Sequence, residues 1–157
     1  MVVKKEYLTW RQIEELVDKL VAKLPDMHAY DAILAITRGG MVPACLISER
    51  LDLHNILVAA VMFYTDIGET LDKPLFLQFP ADPLLQGKKI LVVDDVWDSG
   101  QTIMAVKERV EEAEGHPDLA VLHYKPSHTL FPDAPHYAAC ETDAWIVYPW
   151  EPPEEGQ

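Results

Sequence analysis

The residues best suited to chemistry lie in one short stretch, where an apolar run is followed by acidic and small polar side chains. From residue 90 to 102 it reads Ile-Leu-Val-Val-Asp-Asp-Val-Trp-Asp-Ser-Gly-Gln-Thr. The loop amides and the hydroxyls of Ser99 and Thr102 can surround a phosphate at the positive end of a following helix, and Gly100 allows the backbone to approach it closely. The carboxylates of Asp94 and Asp95 can accept hydrogen bonds from a sugar diol. A phosphate and a diol one loop apart describe a ribose 5-phosphate.

Two further polar clusters follow apolar runs elsewhere in the chain. One cluster consists of Arg38, Gly39 and Gly40, after the apolar run at 31–36. The other is Lys125, after the apolar run at 119–124. Two glycines permit a backbone that turns its amides inward, and the Arg38 guanidinium can add a charged fork to a diphosphate. Each cluster also has a plainer interpretation, as a strand-to-helix turn and as a solvated lysine at a strand end.

The elements that must position these clusters alternate between strand and helix. Thr9 and Gln12 form a capping box before a helix that Pro25 ends. The later apolar and amphipathic stretches predict strands at 31–36, 53–63, 88–93, 119–124 and 144–148, and helices at 42–51 and 102–114. Such alternation predicts an α/β fold with a doubly wound, mostly parallel sheet, whose ligands bind outside the carboxyl ends of the strands. The three polar clusters are therefore expected to converge there.

Residues 64–87 have no steady hydrophobic period. A stretch of this length inside a compact domain is typical of a mobile lid or of an excursion of short strands. Neither a repeat nor a linker interrupts the sequence. We therefore expect residues 1–157 to form one domain, with 64–87 as a flexible lid.

Composition narrows the possible partners and the cellular setting. The formal net charge of −13 disfavours binding to nucleic acid, and part of it is expected to be solvated in a tail containing Glu151. No apolar run is long enough to span a bilayer, so a cytoplasmic protein is expected. The cysteines, Cys45 and Cys140, predict neither a metal knuckle nor a disulfide framework. The histidines, among them His123 and His128, have no metal-ligand spacing and are expected in ordinary surface or core roles.

The stretch from 90 to 102 resembles the signature of type I phosphoribosyltransferases for phosphoribosyl pyrophosphate (PRPP), at its apolar positions, its acidic pair and most of the following loop. Receiver domains also carry an aspartate pair after a strand, but they place it near the domain start. The resemblance implies the type I phosphoribosyltransferase fold with a small hood, and a loop at residues 37–40 that often contains a non-proline cis peptide. It implies a PRPP site formed by Arg38, Gly39, Gly40, Asp94, Asp95, Asp98, Ser99, Gly100, Gln101 and Thr102.

A narrower resemblance covers most of the chain. The steps Thr9-Trp10 and Lys125-Pro126 and the stretch from Trp145 to Trp150 are similar to bacterial xanthine-guanine phosphoribosyltransferases. This similarity implies a base-binding hood at 125–150 and a homodimer or homotetramer.

Within that hood, the resemblance implies that Lys125 donates to the purine 6-oxo group, that Trp145 stacks on the base, and that the Ile146 backbone meets the 2-position edge. Trp145 has an alternative interpretation as a core aromatic residue. Val147 stands where those enzymes have a polar residue, so recognition of the 2-substituent is left open.

Together these features predict a Mg²⁺-dependent enzyme of purine salvage. It would transfer ribose 5-phosphate from PRPP to guanine, xanthine or hypoxanthine, with a nucleoside monophosphate and pyrophosphate as products. Asp98 is the candidate general base or acid at purine N7, and Asp94 and Asp95 are candidate ligands of Mg²⁺. The alternatives are a phosphoribosyltransferase for orotate or uracil, and a regulator that senses PRPP or nucleotides without catalysis.

Overall fold

The structure is a computed structural model that describes residues 2–69 and 72–153. The predicted lid includes residues 70 and 71, which lie outside the described residues, as do 1 and 154–157 of the predicted domain. In chain order the elements are β1 (Lys5–Tyr7), α1 (Trp10–Lys23), β2 (Ala32–Ile36), α2 (Met41–Leu51), β3 (Ile56–Tyr64), β4 (Lys73–Gln78), a 3₁₀ turn (Asp82–Leu84), β5 (Lys89–Trp97), α3 (Gln101–Glu112), β6 (His116–Tyr124), β7 (Tyr137–Glu141) and β8 (Trp145–Val147).

The central sheet has the order β4-β3-β2-β5-β6-β7. Neighbouring strands are parallel except for β3 and β4, which are antiparallel. Helices cover both faces, so the predicted α/β fold with a doubly wound, mostly parallel sheet is confirmed. Because the parallel strands share one direction, the segments that follow β2, β5 and β6 meet at the same edge.

Alternation along β2 shows how both faces of the sheet are buried. Ile33 and Ala35 join the apolar cluster that holds the buried residues of α1 and α2, whereas Leu34 and Ile36 join the cluster that holds those of α3. Residues one apart in a strand point to opposite faces, so an uninterrupted apolar run is what a two-sided sheet requires.

Helix α1 begins and ends where its local sequence predicts. The Gln12 amide donates to the Thr9 hydroxyl oxygen at 3.2 Å, and the Thr9 amide donates to the Gln12 side chain at 2.8 Å. Leu24 leaves the helical region with ψ of 148°, because Pro25 crowds a helical conformation at the residue before it.

Strand β5 is longer than predicted. The expectation that it ends at Val93, with Asp94 and Asp95 beyond it, was wrong, since pairing with β6 continues to Trp97 opposite Tyr124. The parallel partner β6 supplies backbone hydrogen bonds along the part of β5 that contains the acidic pair. This pairing outweighs the poor strand preference of aspartate.

Strands β1 and β7 were not predicted, whereas β8 lies within the strand predicted at 144–148. β1 pairs in parallel with β8, with Lys5 opposite Trp145, and forms a separate two-stranded sheet. β7 adds an edge strand to the central sheet through the pairing of Ala120 with Tyr137. A strand of three to five residues is too short for a clear period, and it is stabilised by a partner distant in the sequence.

The region of the predicted lid contains an antiparallel ribbon in its described part. β4 pairs with β3, with Val61 opposite Phe76. The Lys73 ammonium lies 2.7 Å from Asp66 and 2.9 Å from Glu69. An excursion of short strands thus accounts for part of this segment, and the mobile lid stays a prediction. Within the described ranges, no helix is both long and apolar enough to cross a bilayer.

Candidate functional site

A cleft of about 310 Å³ lies at the carboxyl edge of β2 and β5. Its walls include most of the predicted PRPP residues, namely Gly39, Asp94, Asp95, Asp98, Ser99, Gly100, Gln101 and Thr102. Arg38 lines an adjoining cavity of about 270 Å³, which shares Gly39 and Asp95 with the cleft. Gly40 is buried behind the loop. The polar clusters after β2 and β5 therefore converge, as the alternation of elements predicted.

The loop before α3 is shaped by a close approach between Gly100 and Trp97. Gly100 has a φ of 86°, and a methyl group on its α-carbon would overlap the indole of Trp97. Ser99 accepts a hydrogen bond from the Gln101 amide at 3.2 Å. The first helical amides of α3 have no acceptor within the helix, and Gln101 and Thr102, which carry two of them, line the cleft. This geometry suits a bound phosphate.

Asp94 and Asp95 each use one carboxylate oxygen within the strand. The Asp95 amide donates to Asp94 Oδ1 at 2.9 Å, and the Val96 amide donates to Asp95 Oδ1 at 2.7 Å. Burial raises the pKa of both carboxyl groups, and the neighbouring charge of Asp95 raises that of Asp94 further. Hydroxyl groups that donate to these carboxylates, or a bound cation, would offset the free-energy cost of keeping them ionised.

The same pair provides a test of the implied Mg²⁺ site. Mg²⁺ prefers oxygen ligands and is usually held by one or two carboxylates together with water and substrate phosphates. Among the described residues, no group of three or more His, Cys, Asp or Glu side chains could hold a metal ion. Asp94 and Asp95 therefore fit a metal that comes mainly with its phosphate ligand, and they do not form a cage by themselves.

The loop after β2 packs directly on this pair. The peptide bond between Thr37 and Arg38 is cis, as the resemblance implied. A methyl group on Gly39 would overlap the Asp95 carboxylate, and one on Gly40 would overlap the Val93 carbonyl. Both glycines are thus required by close approach, and the exposed Arg38 side chain is left beside the adjoining cavity.

Glu151 was not predicted to belong to the site. It was expected in a solvated tail, yet it lines the cavity beside Arg38 and Asp95. Partial burial, and then the charge of Asp95, raise the pKa of Glu151. No local pattern marks this residue, since only the fold brings it beside residues far earlier in the chain.

Lys125 lies close to both Asp98 and Trp145. Lys125 is only 4% exposed, so its interpretation as a solvated lysine is wrong. Its ammonium lies 3.5 Å from Asp98 Oδ2 and 5.7 Å from the centre of the Trp145 ring. Trp145 is 54% exposed, so its interpretation as a core aromatic is also wrong. Ile146 is buried next to it, paired with Glu6 of β1.

A buried chain of hydrogen bonds connects His123 and Tyr148 to the backbone of Asp95. The Tyr148 hydroxyl lies 3.2 Å from the Asp95 carbonyl and 2.8 Å from His123 Nδ1. A carbonyl only accepts, so Tyr148 donates to Asp95, and His123 must donate from a protonated Nδ1. Burial and the charge of Lys125 lower the pKa of His123 to about 4, which keeps its ring neutral. The fold thus connects His123 to the Asp95 backbone through Tyr148, which its sequence context did not reveal.

Fold and cleft together define a class of protein. It is a doubly wound α/β protein with an acidic pair and a small-residue loop before a helix at the carboxyl edge of its sheet. The phosphoribosyl transferase domain family matches residues 3–155. The chain belongs to this phosphoribosyltransferase family, and the resemblance seen in the sequence is confirmed.

Individual relatives agree with this assignment. The xanthine-guanine phosphoribosyltransferase of Cereibacter sphaeroides is 31% identical over 150 residues, which cover 92% of this chain and 86% of that protein. The crystal structure of a purine phosphoribosyltransferase from Pyrococcus horikoshii Ot3 matches with a TM-score of 0.81 at 34% identity, covering 94% of this chain and 95% of the other. A hypothetical protein from Neisseria gonorrhoeae, with bound ppGpp, matches with a TM-score of 0.84 at 27% identity, covering 98% and 93%.

Proposed function

We propose that this phosphoribosyltransferase transfers ribose 5-phosphate from PRPP to a 6-oxopurine, releasing pyrophosphate, and that it serves purine salvage. The observation that carries the proposal is the meeting of Lys125, Asp98 and Trp145 beside the cleft. A 6-oxopurine offers a carbonyl oxygen, ring nitrogens and a flat aromatic face, and these three side chains offer a donor, a proton acceptor and a stacking surface.

In this proposal the cleft binds PRPP in three parts. The loop amides and the Ser99 and Thr102 hydroxyls hold the 5-phosphate at the start of α3. Asp94 and Asp95 accept hydrogen bonds from the ribose hydroxyls through the carboxylate oxygens that the strand amides leave free. The diphosphate then lies toward the loop after β2, where Arg38 lines the adjoining cavity.

The reaction breaks the bond between the anomeric carbon and the diphosphate oxygen and forms a bond from that carbon to a purine ring nitrogen. Positive charge grows on the sugar while negative charge grows on the leaving oxygens, so fixed charges on both sides lower the barrier. Asp98 exchanges a proton at purine N7 and stabilises the cationic sugar. Arg38 and the Gly39 amide stabilise the departing diphosphate. The expectation that the Gly40 amide also does so was wrong, because this buried amide already donates to the Ile36 carbonyl at 2.8 Å.

Mg²⁺ would be held by Asp94 and Asp95, directly or through water, together with the diphosphate and ribose oxygens. Glu151 is a further candidate, because it shares the adjoining cavity with Asp95. Bound there, the ion would neutralise charge on the leaving group.

Recognition of the 2-substituent falls to the backbone. Val147 has no hydrogen-bonding side chain, and its carbonyl already accepts from the Leu8 amide at 3.0 Å. The Ile146 backbone is therefore the candidate contact. A site without a polar side chain at this position discriminates weakly, so we expect kcat/KM values for guanine, xanthine and hypoxanthine to lie within about 100-fold of one another.

The test is PRPP-dependent nucleotide formation with a panel of bases, in the presence of Mg²⁺ and after its removal by a chelator. Turnover of 6-oxopurines that exceeds that of orotate, uracil and adenine is expected, with loss of activity on chelation. Preferred use of orotate or uracil would overturn the purine assignment while leaving the transferase reaction in place.

A second candidate is a nucleotide-binding regulator. The match to a protein with bound ppGpp favours it, because that ligand carries a guanine, a ribose and two diphosphates. Micromolar binding of ppGpp without turnover on any base would favour this function. Inhibition by ppGpp that competes with PRPP would place both ligands in one site of an active enzyme.

A further inference from the structure

The carboxylate of Asp98 has a second partner that the proposed mechanism does not use. His128 Nδ1 lies 2.9 Å from Asp98 Oδ1, while the Lys125 ammonium lies 3.5 Å from Asp98 Oδ2. The imidazole contact is thus the shorter of the two, and it falls on the other oxygen. A distance of 2.9 Å is that of a formed hydrogen bond, whereas 3.5 Å is that of a loose ion pair.

The turn that carries His128 is hydrogen-bonded on both sides, to the end of strand β5 and to the loop before α3. The Lys125 amide donates to the Trp97 carbonyl at 3.0 Å, and the Leu130 amide donates to the Ser99 carbonyl at 2.9 Å. Trp97 Nε1 donates to the Thr129 hydroxyl oxygen, also at 3.0 Å. The imidazole is therefore presented to Asp98 by a backbone that is itself anchored to the strand and loop bearing Asp98.

The two partners differ in what happens when a base enters. Lys125 is the group assigned to the purine 6-oxo oxygen, so a bound base draws its ammonium away from Asp98. His128 is 43% exposed at its side chain and has no assigned contact with substrate. Its Nδ1–H can keep Oδ1 occupied, which leaves Oδ2 directed to the position that Lys125 vacates.

We propose that His128 is a positioning residue that holds the Asp98 carboxylate in place while Lys125 binds the base. This inference rests on the proposed function, since it assigns His128 a part in the same proton transfer. It requires a proton on Nδ1 of His128, because an ionised carboxylate only accepts.

The first test compares His128→Ala with His128→Asn, in which the amide nitrogen lies near the place of Nδ1 and still donates. Loss of a hydrogen bond to a charged group predicts a kcat lower by roughly 10- to 100-fold in His128→Ala. KM for PRPP is expected within about twofold of the wild type, and His128→Asn should recover most of kcat. His28→Ala is the matched control, because His28 is an exposed histidine in the turn between α1 and β2, at the opposite edge of the sheet.

The second test asks whether the effect passes through Asp98. In an Asp98→Asn background, His128→Ala should lower kcat no further, since the two residues act as one unit. An unchanged kcat in His128→Ala would overturn the proposal. So would equal losses in the Ala and Asn variants accompanied by equal losses of thermal stability, because that result describes a structural role alone.

The third test needs no turnover and separates this inference from the proposed function. Long-range ¹H–¹⁵N NMR at neutral pH should show the proton of His128 on Nδ1 in the wild type and on Nε2 in Asp98→Ala. A wild-type ring protonated at Nε2 alone would overturn the positioning role even if 6-oxopurines are substrates. Wild-type inactivity on every base would instead remove the proposed function, and with it the role in proton transfer.

Discussion

The α-carbon of Gly39 lies directly against the side-chain carboxylate of Asp95, so the loop after β2 and strand β5 touch at the centre of the site. This contact leaves no room for a side chain at residue 39. It also joins the cleft to the adjoining cavity, since both residues line each of them. The position proposed for the diphosphate and the position proposed for the ribose therefore depend on one glycine.

Gly39→Ala should lower both stability and activity. The added methyl group must displace the Asp95 carboxylate or the loop, and overpacking of this kind costs about 1–3 kcal/mol. Urea unfolding would measure the loss. Adding Asp95→Ala removes the overlapping carboxylate, so the double variant should be hardly less stable than Asp95→Ala alone. Additive losses in the double variant would contradict the contact.

Asp98→Asn should lower turnover far more than it affects PRPP binding. Removing a general base or acid costs roughly 10²- to 10⁴-fold in kcat, whereas the amide keeps the size and polarity of the side chain. Steady-state kinetics with a 6-oxopurine and a separate measurement of PRPP affinity would check this. Asp133→Asn, in an exposed loop, is the control. An unchanged rate in Asp98→Asn would remove Asp98 from the mechanism.

Lys125→Met should weaken use of the base while leaving PRPP affinity nearly intact. The substitution keeps the apolar stem of this buried residue and removes the ammonium, which is 5.7 Å from the centre of the Trp145 ring. A lost charged hydrogen bond of about 1.5–3 kcal/mol corresponds to a kcat/KM for the base that is roughly 10- to 150-fold lower. Lys19→Met on the exposed side of α1 is the control. Equal kcat/KM values for the two variants would argue against base binding by Lys125.

His123 predicts how stability changes with pH. Its pKa is lowered to about 4 in the folded chain, mainly by burial, against about 6.5 when unfolded. Between these values the unfolded chain binds the extra proton, so stability is complete above pH 6.5 and is lost as the pH falls toward 4. From pH 7.5 to pH 5 this contributes a loss of about 2 kcal/mol.

The comparison of the wild type with His123→Asn isolates this contribution. Asp94 and Asp95 act in the opposite direction, because their raised pKa values favour the folded chain as the pH falls, but they are common to both proteins. Lys125, whose charge also lowers the pKa of His123, and the Tyr148 hydroxyl, which contacts the ring, are also retained. Parallel stability profiles for the two proteins in urea unfolding would show that His123 is not held neutral.

The local parts of the site were readable from the chain because their residues are adjacent in it. The run from 90 to 102 contains the acidic pair, the loop and the helix start, and these features follow from residue type and spacing. Helix α1 was equally plain, since Thr9, Gln12 and Pro25 act on their own neighbours. The order of apolar runs likewise led to a doubly wound sheet, because a strand buried on both faces has to be apolar throughout.

Other parts of the site depend on residues far apart in the sequence. Glu151 lies beside Arg38 and Asp95 through the path of the C-terminal segment, and β1 exists as a strand through its pairing with β8. No local pattern records such a meeting, because burial and pairing are properties of the folded chain.

Lys125 illustrates the same division within a single residue. The sequence shows that Lys125 follows an apolar run. It does not show whether the ammonium is solvated or lies near Asp98 and Trp145, as it does in the structure. That depends on the packing of β6 against β5 and on the return of the chain through β8. Local residue preferences act over a few positions, whereas burial is decided by contacts between segments, and only the assembled sheet supplies these.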